Sequence, residues 1–220
     1  AWYRKKLELP IIGVTGSVGK TTTREMIYKT LCSGKKVFQT PKNYNSQVGV
    51  PMTLAQIKEE DEIAVLEMGM SEPGEMERLA RMVQPDVAVM TCIGVAHIEQ
   101  LKTQDNICKE KLNILNYMNE DGVLFYNGDD SILSKWCKDI AVKKVTFGLS
   151  AQCDYRGEQI KVENGMTHFV CCYKGKKLAV RLLALGEHNV RNALVALAVS
   201  DHYGLDMEKA ANALFEFEGQ

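Results

Sequence analysis

The run Ile11-Ile12-Gly13-Val14-Thr15-Gly16-Ser17-Val18-Gly19-Lys20-Thr21-Thr22 constrains this chain more than any other stretch, because an apolar strand breaks there into a glycine-rich turn ending in Gly-Lys-Thr. A turn of this kind, leading into a helix, lets backbone N–H groups converge on phosphate oxygens with no Cβ in the way. Lys20 adds a point charge for β- and γ-phosphates, and the Thr21 hydroxyl is an oxygen ligand for Mg2+. A helix over residues 21–31 would aim the positive end of its dipole at the same anion. The glycines stand three apart, at 13, 16 and 19, whereas a strict phosphate-binding loop would place one where this chain has Val14. The loop is therefore a variant of a nucleoside triphosphate site, with strand, loop and helix in the required order.

Around that anchor, short β-branched runs at 11–14, 37–40, 63–67, 87–91, 123–126 and 145–147 alternate with helical patterns at 75–82, 105–118 and 131–138. Such alternation predicts an α/β fold: a P-loop-type, mostly parallel sheet with helices on both faces. From about 151 to 183 the pattern changes to alternating strands, with Asn164-Gly165 and Lys174-Gly175 as hairpin turns, before helices return at 189–203 and 207–215. One domain with a small β excursion is expected. With 27 Lys+Arg against 28 Asp+Glu there is no basic excess to hold nucleic acid or an anionic membrane. The seven cysteines are odd in number and contain no Cys-x-x-Cys pair, which fits reduced thiols. No apolar run has the length of a membrane span, and residues 1–6 lack the apolar stretch of a signal peptide, so a cytoplasmic protein without membrane insertion is expected.

In open α/β sheets ligands bind at the carboxyl ends of strands, which draws attention to the polar residues just after each apolar run. Glu67 ends the run Ile63-Ala64-Val65-Leu66, where a carboxylate can hold Mg2+ directly or through water; a solvated strand-end glutamate is the alternative. His97 falls in the loop after the next strand, either as a surface residue or as a functional one, and its nitrogen suits Mg2+ less well than oxygen does. Lys111 shares a helical stripe with Ile107, Leu115 and Met118, so it either snorkels outward or is buried with its ammonium form disfavoured. A buried neutral amine could capture CO2 as a carbamate. Asn189 reads as a helix N-cap, and Asn192, one turn further in, could offer a carboxamide to an adenine edge.

Taken together these stretches resemble the Mur ligase family of ATP-dependent amide ligases. The loop Gly13-Val14-Thr15-Gly16-Ser17-Val18-Gly19-Lys20-Thr21 is similar to the family's Gly-x-x-Gly-x-x-Gly-Lys-Thr pattern. The stretches Asn43-Tyr44-Asn45-Ser46-Gln47-Val48-Gly49-Val50-Pro51-Met52-Thr53-Leu54, Leu66-Glu67-Met68-Gly69-Met70 and Asn189-Val190-Arg191-Asn192-Ala193-Leu194 resemble the branch that adds D-alanyl-D-alanine to UDP-N-acetylmuramoyl-tripeptide. The resemblance implies ATP and Mg2+ as cofactors and those two molecules as substrates. It also implies that Gly16, Ser17, Val18, Gly19, Lys20, Thr21, Thr22, Asn189 and Asn192 hold the nucleotide. Thr21, Glu67, His97 and a carbamylated Lys111 become metal ligands, with Lys20, His97 and Lys111 catalytic, and Thr40, Asn43 and Asn45 face the peptide substrate.

The chemistry so implied is phosphorylation of a peptide carboxylate to an acyl phosphate and its capture by an amine, which needs positioning and charge rather than a nucleophilic Ser or Cys. Residues 1–220 are expected to be the family's central, ATP-binding domain and a monomer, without the domains that flank it in the family. Two rivals are a folylpolyglutamate synthase or cyanophycin synthetase-like ligase, sharing the ATP site but not the Asn43-Tyr44-Asn45 run, and a non-enzymatic nucleotide-binding module. A guanine switch is disfavoured by the lack of an Asn-Lys-x-Asp motif.

Overall fold

The computed structural model describes residues 4–217; the ends read above for a signal peptide (1–3) and for the end of the chain (218–220) lie outside the described residues. Strands β1 (Ile11–Thr15), β3 (Ile63–Glu67) and β4 (Val87–Met90) are buried at every position. A parallel strand covered on both faces demands that, which is why these runs are apolar throughout. With β2 (Val37–Gln39), β5 (Val123–Asn127), β6 (Lys143–Gly148), β7 (Tyr155–Glu163), β8 (Met166–Tyr173) and β9 (Lys176–Leu182) they form, among the described residues, one nine-stranded sheet in the order β2-β3-β1-β4-β5-β6-β7-β8-β9. Pairing is parallel from β2 through β7 and antiparallel for β7–β8 and β8–β9.

The sheet separates two cores. Ile12, Val14, Val65, Val89 and Phe125 pack against α1 (Lys20–Leu31), α7 (Glu187–His202) and α8 (Met207–Phe215). Ile11, Ala64, Leu66, Ala88 and Leu124 face the other way, toward α2 (Gly49–Leu54), α3 (Glu75–Val83), α5 (Gln104–Leu112) and α6 (Ser131–Cys137), with the single turn α4 (Ile98–Leu101) at the rim. Strand β1 thus leads to a helix on one face, while its neighbour β3 leads to helices on the other. Chains that part in this way leave a crevice at the carboxyl ends of the strands, and the site lies there.

The β excursion expected over 151–183 forms as β7, β8 and β9: β7 pairs in parallel with β6 through Phe147–Tyr155 and Gly148–Arg156, and β8 and β9 extend the same sheet. Its alternating pattern reflects cover on one face only, since burial along β8 and β9 alternates residue by residue. Both hairpin turns form as expected, with Asn164 and Gly165 at φ 52° and 76° and Lys174 and Gly175 at 47° and 73°. A turn with two positive φ values matches the twist of the strands it joins. The helix expected over 105–118 ends as an α-helix at Leu112 and tightens into a 3-10 turn, Asn113–Tyr117. The tightening sends Ile114, fully buried, under the sheet and leaves Leu115 only partly covered.

Candidate functional site

The phosphate-loop candidates Gly16, Ser17, Val18, Gly19, Lys20, Thr21 and Thr22 form one turn from the end of β1 into α1. The turn is clamped to the end of β4: the Ser17 N–H donates to the Cys92 carbonyl at 2.9 Å, and the Thr91 hydroxyl donates to the Val18 carbonyl at 2.6 Å. That closeness explains Gly16, at φ 149°, where a Cβ would stand 1.9 Å from Thr91 Oγ1. Gly19, at φ 82°, caps α1 without a side-chain cap hydrogen bond. Backbone N–H groups of a first helical turn have no intrahelical acceptor, so this end is suited to an anion. The Lys20 ammonium lies back over the loop, donating to the Gly16 carbonyl at 3.0 Å.

At the end of β3, Glu67 is 2% exposed and is held from several sides. Thr21 Oγ1 donates to its Oε2 at 3.0 Å and Asn45 Nδ2 to its Oε1 at 2.8 Å. The solvated-glutamate alternative is thereby excluded. Thr40, expected at the substrate face, is buried, and its hydroxyl accepts the Glu67 backbone N–H at 2.9 Å; it fixes the carboxylate-bearing residue. Asn43 is exposed in the adjacent loop. Arg24, which sequence reasoning missed, is 3% exposed, with Nη1 2.8 Å from the Lys42 carbonyl and 3.5 Å from Glu67 Oε2. Its signal was a charged residue between the core positions Thr23 and Ile27 of α1, one turn after Lys20.

Lys111 does not snorkel: it is 2% exposed, and among the described residues its ammonium has no hydrogen-bond or ion-pair partner. Burial, and after it the positive charge of Lys20, bring its pKa down to about 7. His97 is exposed, at φ 65°, at the start of α4. Burial first, then the charges of Lys111 and Lys20, lower its pKa against an opposing contribution from Glu75. Lys20, His97 and Lys111 therefore share one electropositive end of the site. Among the described residues no three His, Cys, Asp or Glu side chains cluster as a metal centre; the candidate donors are Thr21 and Glu67, which bond to each other, and His97 and Lys111, of which the first feels the charge of the second.

Beside the loop opens a cavity of about 610 Å3 lined by Val18, Gly19, Thr22, Thr91, Cys92, Asn127, residues 183–185, His188, Asn189, Arg191 and Asn192. That volume is in the range of small-molecule sites. Asn189 is not an N-cap, because α7 starts earlier, at Glu187 with Gly186 before it, and the Asn189 carboxamide donates back to the Leu185 carbonyl at 2.8 Å. Asn192 is 7% exposed; its Oδ1 accepts from Thr23 Oγ1 at 3.0 Å, leaving Nδ2 without a partner among the described residues. Arg191 and Asn127 also line the cavity and were not foreseen. Arg191 Nε donates at 2.8 Å to Asp129, a carboxylate that also accepts from Leu149 N–H and from Ser150 N–H and hydroxyl.

Comparison with known proteins gives the chain a family. Residues 14–200 match the family described as Mur ligase middle domain. The chain is 40% identical over 212 residues to the UDP-N-acetylmuramoyl-tripeptide–D-alanyl-D-alanine ligase of Bacillus subtilis, covering 96% of this chain and 45% of that protein. A crystal structure of MurF from Acinetobacter baumannii superposes with a TM-score of 0.92 at 30% identity, covering all of this chain and 48% of that one. MurF ligase from Thermotoga maritima, in complex with ADP, does so at 0.90 with 28% identity, covering 99% and 51%. The chain thus spans about half the length of the relatives it matches. It belongs to the Mur ligase family, of which it is a middle domain.

Proposed function

We propose that this chain is the ATP-binding middle domain of a ligase that joins D-alanyl-D-alanine to UDP-N-acetylmuramoyl-tripeptide. The observation that carries the reading is the Thr21–Glu67 pair, 3.0 Å apart, next to Lys20 in the loop whose Gly19 and Thr22 line a cavity with Asn189 and Asn192. Similarity to the Bacillus subtilis ligase and to the ADP-bound Thermotoga structure supports the nucleotide and the substrate class. In this reading the triphosphate replaces the Gly16 carbonyl as partner of the Lys20 ammonium, and the base enters the cavity, where Asn192 Nδ2 is available. Thr21 and Glu67 supply only oxygen donors, which fits Mg2+; the ion, when bound, would neutralise charge on the phosphates.

A neutral Lys111 amine is able to attack CO2: the N–C bond forms, one C=O electron pair moves to oxygen and a proton leaves to solvent, giving a carbamate. In the ligation, a peptide carboxylate oxygen attacks the γ-phosphorus as the bond to ADP breaks. The amine of the dipeptide then attacks the acyl carbon, loses a proton, and phosphate departs with the bonding pair. Lys20 holds the transferring group, and Asn43 and Asn45 stand where the carboxylate-bearing peptide would approach. The reading is that of a cytoplasmic enzyme acting as a monomer. No helix among the described residues is long and apolar enough to cross a membrane.

The test is phosphate release coupled to mass detection of the amide product, in a polypeptide extended to the length of the relatives. Lys20→Ala and Thr21→Ala should each lower kcat more than tenfold while the far-ultraviolet dichroism is kept, since neither side chain packs in the core. Turnover with glutamate as acceptor instead of the dipeptide would move the chain to a folylpolyglutamate-type ligase. Wild-type-like turnover by either variant would remove the phosphate-loop assignment.

A further inference from the structure

Arg24 is a buried cation with an unusual set of contacts. Its Nη1 reaches the Lys42 carbonyl at 2.8 Å and Glu67 Oε2 at 3.5 Å, its Nη2 pairs with Glu25 at 3.0 Å, and its Nε is buried with no acceptor. A packed core does not need such a group: burying a guanidinium costs free energy, and an apolar side chain of similar length would fill the same space more favourably. What Arg24 does, and an apolar residue could not, is join three segments distant in sequence. They are α1, the end of β3, and the loop that carries Asn43 and Asn45.

That loop is held at both ends without Arg24. Thr40 accepts the Glu67 N–H at 2.9 Å, and Asn45 grips Glu67 through Nδ2 at 2.8 Å and the Gly69 N–H through its carbonyl at 2.8 Å. The middle is different. Lys42 sits at φ 51°, a left-handed conformation that costs a non-glycine residue, and its carbonyl is the atom Arg24 holds. Strain at one residue and the one buried cation of this helix that reaches it point to a common cause: Lys42 is turned so that its carbonyl meets Arg24, and the turn sets where the next residue, the exposed Asn43, is presented.

We infer that Arg24 is a positioning residue that fastens loop 40–45 to the Glu67 carboxylate, so that the peptide-facing loop and the phosphate-loop helix form one rigid unit. The inference deepens the ligase reading and rests on it for the identity of the substrate, but the fastening itself does not depend on that identity. A lysine at the same place keeps a charge near Glu67 but, as a point cation on a flexible stem, lacks the planar fork by which Nη2 is held on Glu25 while Nη1 is aimed at the Lys42 carbonyl. Arg24→Lys therefore separates charge compensation from fastening, and Arg24→Gln keeps a donor for Lys42 without the charge.

The experiment measures amide hydrogen exchange in the 220-residue chain. Tyr44 N–H and Asn45 N–H bond within the loop, to the Pro41 and Asn43 carbonyls. Exchange over 42–47 should accelerate at least tenfold in Arg24→Lys, while exchange over 25–31 of α1 is unchanged. In the extended polypeptide the same variant should raise KM for the UDP-linked peptide about tenfold and leave KM for ATP within twofold. Wild-type exchange over 42–47 in Arg24→Lys would overturn the inference, as would accelerated exchange with an unchanged peptide KM. If the extended wild-type protein does not ligate at all, the ligase reading falls, and the exchange rates still decide the role of Arg24.

Discussion

Glu67 and Lys111 are both charged residues taken out of water, and they are treated in opposite ways. The carboxylate has a hydroxyl, a carboxamide and a guanidinium around it, whereas at Lys111 burial and the repulsion of Lys20 outweigh the opposing contributions of Cys92, Glu110 and Cys108 and bring its pKa from 10.5 down to about 7. In the unfolded chain the amine stays protonated up to its ordinary value; in the folded chain it is neutral above about 7. The unfolded state therefore binds more protons across that window, and stability rises with pH through it. Lys111→Met, which keeps the length and drops the amine, should be more stable than the wild type at pH 7 by about 4 kcal/mol, with the gap narrowing to about 1 kcal/mol by about pH 9.5. Denaturant melts in CO2-free buffer at the two pH values check this, and a gap independent of pH would remove the buried amine from the account. The places of the glycine loop, Lys20, Thr21 and Glu67 at strand ends were legible because they follow from adjacent residues. Thr40 and Arg24 were not, since their partners lie 27 and 43 positions away and only the fold brings them together.

Elements were legible wherever period and burial agree, as in β1, β3 and β4 or in the two hairpins with glycine at a positive-φ turn. The 3-10 turn after Leu112 was hidden, because Ile114 and Leu115 are equally apolar and only packing beneath Gly13, whose missing Cβ leaves room for Ile114, selects between them. The placing of α7 was hidden too. Asp129 anchors it: the carboxylate at the end of β5 reaches Arg191 on α7 and the backbone after β6 at once. Burial pushes the Asp129 pKa up, but the hydrogen bonds from Ser150, Leu149 and Arg191 outweigh it and hold the group below its usual 3.8. A carboxylate depressed in the fold contributes stability that is present above the unfolded value and lost as pH falls through the folded one. Asp129→Asn should therefore cost about 2 kcal/mol at pH 7, and the difference should shrink as pH drops below about 4. Thermal melts at pH 7 and pH 3 measure it; an equal cost at both would show that the bonds do not depend on the charge. Because Arg191, Asn189 and Asn192 share the first turns of α7, the same variant should also weaken nucleotide binding.

At the scale of the molecule the site is the seam between the two faces of the sheet, where β1 sends its helix one way and β3 the other. Phosphate loop, Glu67, His97, Lys111 and the cavity beside α7 are set by the strands that end at this sheet edge and the segments that follow them. On the proposed function, the residues read as holding the nucleotide all lie on this chain, whereas ligation would also require two substrates held in attack geometry, and the chain matches only about half the length of the ligases it resembles. The 220-residue chain alone should accordingly bind Mg-ATP, and bind it less tightly than the extended polypeptide, in which closure over the site would exclude water and add contacts. It should show no amide formation. Titration calorimetry with ATP and with GTP, alongside product detection for both lengths of chain, decides the matter. Equal affinity for GTP would show that Asn192 and its neighbours do not read the base. Absence of any nucleotide heat would show that the phosphate loop is not competent by itself, and amide formed by the 220 residues alone would place the acceptor site on this sheet edge.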